Sequence, residues 1–217
     1  MIHNISIDMK IILIIILMPI VTRPVSAGPD LSLSFKGGLN AATLAKDYRV
    51  NRYGISGGLS GHSRWLLTDR FSLGGQMDLL YSPRGAEVVF EGRLQGKFRQ
   101  HYFDVTVAAR PEMTFGMARF YLLLGGGVNF LASANKENAA GAKEDITDGL
   151  RRVDVALLAG AGAALRLPRH GLGPFRLGTV FIEGRHDRGL MGIDPVTGGV
   201  KNRNTSLMLG LSFPLSR

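Results

Sequence analysis

A two-residue hydrophobic period recurs along this chain and restricts it to β-structure. Phe71, Leu73, Met77, Leu79 and Tyr81 are large and apolar, whereas Ser72, Gly74, Gln76 and Asp78 between them are small or polar. Successive side chains of a strand point to opposite faces, so this pattern makes one apolar face and one polar face. The same alternation appears near both ends. Leu31, Leu33, Phe35 and Leu39 alternate with Ser32, Ser34, Lys36 and Asn40; Leu207, Leu209, Leu211 and Phe213 alternate with Met208, Gly210 and Ser212. Eight segments read as strands, at about 31–42, 52–64, 70–82, 97–110, 119–132, 152–166, 175–187 and 203–215.

The polar face decides which β-fold this is. It carries Lys36, Asp78, Asp104, Arg110, Glu183 and Arg185. A soluble eight-stranded carrier of the lipocalin type turns its apolar set inward, around a ligand cavity. Charges on the inner set with an apolar outer set are the pattern of a transmembrane β-barrel. Strand length agrees. Phe71 and Tyr81 lie ten residues apart on the apolar face, as do Phe120 and Phe130. Ten residues span roughly 33 Å, or roughly 25 Å of height once tilted by about 40°, which matches the apolar band of such barrels. The expected fold is therefore all-β: an eight-stranded antiparallel up-and-down transmembrane β-barrel. The aromatics at those positions would form its two interfacial girdles.

The N-terminal segment fits this location. Lys10 precedes an unbroken apolar run from Ile11 to Met18, and Val25-Ser26-Ala27 offers small residues for cleavage. This is the layout of a secretory signal peptide, with residues 1–27 removed and 28–217 forming the barrel domain. The run is shorter than the roughly 20 residues of a spanning helix. Met9 makes a more ordinary start than Met1. Cleavage removes Lys10, Arg23 and Asp8, so 26 basic and 17 acidic residues become 24 and 16, a net charge of +8. In an exported chain that balance suits anionic lipid or sugar phosphates rather than nucleic acid. The chain has no cysteine, which excludes disulfides and a lipidated N-terminal cysteine.

Connections alternate in length. Segments 43–51, 83–96, 133–151 and 188–202 read as longer polar loops, and 65–69, 111–118 and 167–174 as shorter turns. Outer-membrane barrels place long loops outside and short turns in the periplasm, so an even strand count leaves both termini periplasmic.

No catalytic or metal constellation assembles. His62-Ser63 offers two members of a nucleophilic triad, but adjacent strand residues face opposite ways and no acid can be assigned. No Gly-x-Ser-x-Gly elbow is present. His62, His101, His170 and His186 lack the HExxH pattern, and Glu137, Glu144, Asp145 and Asp148 lack the spacing of a calcium loop. Gly160-Ala161-Gly162 continues a strand instead of opening a helix, so it is no dinucleotide fingerprint. Neither a cofactor nor a metal is expected. The six inner charges are read as a structural ion-pair network, in which Lys36 with Arg110 or Arg185 neutralises Asp78, Asp104 and Glu183. An ion path through them is the competing functional reading.

Six motifs in order resemble the PorT-like outer-membrane β-barrel family. They are Phe-Lys-Gly-Gly-Leu-Asn (35–40), Leu-Leu-Tyr-Ser-Pro-Arg-Gly (79–85), His-Tyr-Phe-Asp-Val (101–105), Asp-Val-Ala-Leu-Leu-Ala-Gly-Ala-Gly (154–162), Glu-Gly-Arg-His-Asp-Arg-Gly-Leu (183–190) and Lys-Asn-Arg-Asn-Thr-Ser-Leu (201–207). The resemblance covers nearly the whole mature chain. It implies an outer-membrane barrel, and its namesake is linked to protein secretion across that membrane. The expected role is a non-enzymatic structural, adhesion or secretion-associated component, monomeric, in contact with outer-membrane lipid and lipopolysaccharide, with envelope or secretion proteins as partners of its loops. A small-solute channel, a lipid-modifying barrel enzyme and a soluble lipocalin-like carrier remain the alternatives.

Overall fold

The computed structural model describes residues 30–45, 50–90, 93–167, 178–192 and 201–215. The segment 1–27, expected to be a signal peptide, lies outside them. The strands are β1 (Asp30–Ala45), β2 (Val50–Leu66), β3 (Phe71–Phe90), β4 (Arg93–Phe115), β5 (Ala118–Asn138), β6 (Lys143–Asp145), β7 (Val153–Arg166), β8 (Thr179–Gly189) and β9 (Lys201–Pro214). Every pairing is antiparallel. β1 bonds to both β2 and β9, and β4 bonds to β5, so the sheet closes on itself. β6 pairs only with the outer end of β5, which leaves eight strands in the closed ring. No helix among the described residues is long and apolar enough to cross a membrane, a fact that does not bear on strands.

The register fixes the barrel's dimensions. Hydrogen-bonded partners lead from Leu33 through Gly61, Met77, Val107, Gly126, Leu157, Arg188 and Arg203 back to β1 at Thr43. The circuit returns ten residues beyond its start, as the numbers 33 and 43 show, which is the barrel's shear. With a rise of ~3.3 Å per residue and a strand spacing of ~4.8 Å, that shear over eight strands tilts them by about 41°. Each step round the circuit then climbs about 3 Å toward the rim bearing the longer loops, and each residue along a strand changes height by about 2.5 Å.

Alternation sorts the side chains as the period demands. Lys36, Gln76, Asp78, Asp104 and Glu183 are buried within the barrel, while Phe35, Leu39, Met77, Leu79, Leu122, Leu157 and Leu209 are exposed on its outside. Tyr81, Phe103 and Phe130 face outward as successive cross-strand partners near the loop rim. Trp65, Phe115 and Phe120 face outward near the opposite rim. The interior is mixed, not purely ionic. Ala108, Tyr121, Leu123, Leu158 and Ala164 pack together, with Phe181 against them. Gly162 makes room for this cluster, since a Cβ there would strike the Tyr121 ring. Tyr102, Leu131 and Ala134 form a second cluster beneath Ile146 and Leu150.

The strands outrun their sequence-based limits. The described residues of the stretch expected as the loop 83–96 are all strand, and much of 133–151 is β5 and β6. Pro83 and Pro111 stand just beyond two of those limits without ending the strands. Each lacks an N–H, and each sits where one flanking ladder is interrupted: Pro83 between Asn51↔Ala86 and Gly57↔Tyr81, Pro111 between Ala109↔Leu124 and Glu112↔Tyr121. The other ladder continues through both, to His101 and Leu73. The extension is laced by cross-strand charges, Lys97 to Glu87 at 3.5 Å and Arg99 to Glu137 at 3.0 Å. Gly116, at φ +60°, turns β4 into β5 at the opposite rim.

Candidate functional site

The densest polar chemistry lies across the middle of the barrel. Asp78 on β3 is its hub. It accepts from Lys36 Nζ at 3.0 Å, Arg185 Nη1 at 2.8 Å, Gln76 Nε2 at 3.1 Å and Thr106 Oγ1 at 3.2 Å. Glu183 on β8 accepts from Lys36 Nζ at 2.8 Å, Gln76 Nε2 at 3.2 Å and the Tyr121 hydroxyl at 3.2 Å. Arg185 also reaches Asp187 at 3.1 Å. Four steps separate β3 from β8 in either direction round the ring, so they are opposite walls. The Arg185–Asp78 pair therefore crosses the whole lumen. Lys36, Asp78, Glu183 and Arg185 have side chains essentially sealed from solvent.

Arg110 extends the network toward the turn-side rim. Its Nη1 donates to Gln76 Oε1 at 2.7 Å, its Nε lies 2.8 Å from Glu112 Oε1, and its guanidinium stacks 3.8 Å from the Tyr121 ring centre. Arg119 reaches the other Glu112 oxygen at 3.7 Å.

Of the six inner charges, five join one connected cluster and Asp104 does not. Its partner is Arg84, at 2.6 Å, rather than Lys36, Arg110 or Arg185. Arg84 also lies over the Tyr102 ring at 4.9 Å, and the Asn129 amide, turned to satisfy both neighbours, links Arg84 to Asp104. Arg110 likewise finds its acid in Glu112, outside the expected six. Arg84 and Glu112 lie beyond the expected strand limits, and Arg119 and Asp187 lie at the ends of expected strands, where alternation no longer distinguishes an inner charge from a loop charge. Parity could have found two of them: Arg84 and Glu112 keep the even numbering of Asp78 and Arg110 beyond Pro83 and Pro111.

The serine–histidine pair resolves differently from its sequence. Ser63 points away from His62 and exchanges hydrogen bonds with the Gly75 backbone. The hydroxyl beside His62 belongs to Ser32, the cross-strand neighbour on β1, 2.7 Å from Nε2. No carboxylate bonds to this imidazole among the described residues. Gly160 to Ala164 lie within β7, and no group of His, Asp and Glu suited to a metal is found among the described residues.

On the loop side, Thr147 ties the β6 segment down. Its hydroxyl accepts from the Ala134 N–H at 2.8 Å and donates to Asp145 Oδ1 at 2.6 Å. These bonds to Thr147 hold the Asp145 carboxyl below the usual carboxylate range.

Comparison with solved structures gives outer-membrane barrels. Neisserial surface protein A is 13% identical, with a TM-score of 0.47, over 86% of this chain and 99% of that one. The outer membrane enzyme PagL is 13% identical, with a TM-score of 0.46, over 85% and 99%. Ail, the attachment invasion locus protein of Yersinia pestis, is 18% identical, with a TM-score of 0.41, over 85% and 99%. No family model matches the chain, and no curated protein matches it, so the PorT-like resemblance rests on its six motifs alone.

Proposed function

We propose that this chain is a non-enzymatic outer-membrane β-barrel whose charged interior is a structural plug and whose work is done by its loops, as a structural, adhesion or secretion-associated component. The observation that carries this reading is the inverted polarity of the closed barrel: ion pairs run from wall to wall inside, and an aromatic-bordered apolar band lies outside. A buried pair is stable only with its partners in place, and the Arg185–Asp78 and Lys36–Glu183 pairs occupy the space a conduit would need. Residues 1–27 act as the cleaved export signal. Asp30 and Pro214 lie toward the same rim, which supports periplasmic placement of both termini. The PorT-like resemblance supports a secretion-associated role.

The longer connections, 133–151 and 188–202, are the contact surfaces for envelope or secretion proteins, since loops on a rigid scaffold commonly carry binding. Residues 193–200 lie outside the described residues. The test is cell fractionation with heated and unheated gels, followed by replacement of each loop in turn. The expected protein is in the outer-membrane fraction, migrates differently when unheated, and loses partner capture without losing that heat-sensitive mobility. Recovery as a soluble monomer would replace this reading with a carrier. An altered lipid A composition in Ser32→Ala, which removes the hydroxyl beside His62, would replace it with an enzyme.

A further inference from the structure

The apolar band is not complete around the barrel. By the climb of about 3 Å per cross-strand step and 2.5 Å per residue, Phe103 stands about 19 Å above Leu33, Phe130 about 23 Å and Tyr53 about 23 Å. On β8 and β9 the same level is polar. The outward series runs Ile182, Gly184, His186, Arg188 on β8 and Leu209, Leu207, Thr205, Arg203, Lys201 on β9. Arg188 and Arg203 stand about 19 and 22 Å above Leu33, at the height of the aromatic girdle.

These two arginines are direct cross-strand partners, and both are exposed. Like charges placed directly opposite repel. Neither arginine has an ion-pair or hydrogen-bond partner among the described residues, and Lys201 adds a third cation two residues above Arg203 on the same face. Their lateral neighbours are Leu157 and Thr43. Below them His186 is engaged with the Thr205 hydroxyl at 2.9 Å. The acids of these strands, Glu183 and Asp187, are buried on the inner face. Among the described residues the pair is therefore uncompensated, and it is set at the depth where headgroups meet the apolar band.

We infer that Arg188 and Arg203, with Lys201 above them, form a lipid-facing site for the phosphate of an anionic lipid headgroup. This rests on the membrane reading above and names the lipid chemistry that the barrel's wall would take. Two adjacent guanidinium forks suit phosphate oxygens, which accept bidentate hydrogen bonds. A phosphate there would also cancel the repulsion that the bare pair carries.

The test uses the folded full-length protein in detergent micelles, titrated with bis-phosphorylated lipid A and read by native mass spectrometry. Wild type should retain one lipid A at a concentration at least about tenfold lower than R188Q/R203Q needs. The variant K97Q/R99Q removes the same charge from the far wall and should bind as wild type. Lipid A lacking one phosphate should bind more weakly to wild type but no differently to R188Q/R203Q. Equal lipid A retention by wild type and R188Q/R203Q would overturn the inference. Inorganic phosphate that competes as strongly as lipid A would overturn the lipid assignment in favour of a free-anion site. Unheated gels of each sample separate the two levels: loss of heat-sensitive mobility in wild type itself would refute the membrane reading and with it the lipid-facing placement.

Discussion

Asp78 shows how one residue's surroundings set its importance. It is the shared acceptor of two cations from two other strands, and nothing in its own segment announces this. Alternation put it on the polar face; which cation it meets depends on shear, which is a property of the closed ring. Hence alternation places Asp78, Lys36, Glu183 and Arg185 on one face, whereas the pairing of each, such as Asp104 with Arg84, follows from the shear. Replacing Asp78 with Asn removes the shared anion and leaves Lys36 and Arg185 undercompensated in a sealed interior. Such a loss costs about 3–5 kcal/mol. The exposed Asp148, paired with Arg152 on the surface, should tolerate the same change within about 0.5 kcal/mol. Denaturant titration of both variants, followed by Trp65 fluorescence, measures the contrast. Arg84→Met should behave like Asp78→Asn, because it strands Asp104 while preserving most of the side-chain volume.

At the level of the strand, the hydrophobic period was legible wherever one face met lipid and the other met the lumen. It faded where β3, β4 and β5 leave the barrel, because neither face there must be apolar. Cross-strand charges such as Lys97 with Glu87 take over, and they read in sequence as loop. The prolines compounded this. Pro83 and Pro111 each occupy an interruption in one ladder, a circumstance visible only once neighbours are known. The expected consequence is asymmetric. Pro83→Ala should leave the heat-sensitive gel mobility unchanged. Val105→Pro, at a position where β4 is paired to Leu79 on one side and Val128 on the other, should abolish it, since both ladders pass through that residue without a gap. Gly162→Val should also fail to fold, because its side chain would displace the Tyr121 ring that bonds to Glu183.

At the scale of the molecule, closure converts eight amphipathic strands into an object with an apolar outside and a filled polar inside. An eight-stranded ring leaves room for side chains and little else, and here the side chains from facing walls reach one another. Planar-bilayer recording on the purified protein should therefore show no large, reproducible conductance steps; such steps would revive a small-solute channel. The most direct test of the account asks which face of a strand meets lipid. The chain has no cysteine of its own, so single cysteines can be placed in turn at residues 77 to 81 of β3, spin-labelled in lipid vesicles, and probed with oxygen and with a water-soluble nickel complex. The expected result is a two-residue oscillation, with labels at Met77, Leu79 and Tyr81 accessible to oxygen and those at Asp78 and Leu80 shielded from both reagents. Labels at 77, 79 and 81 that instead relax with the nickel complex would place the apolar face in water and contradict the membrane barrel.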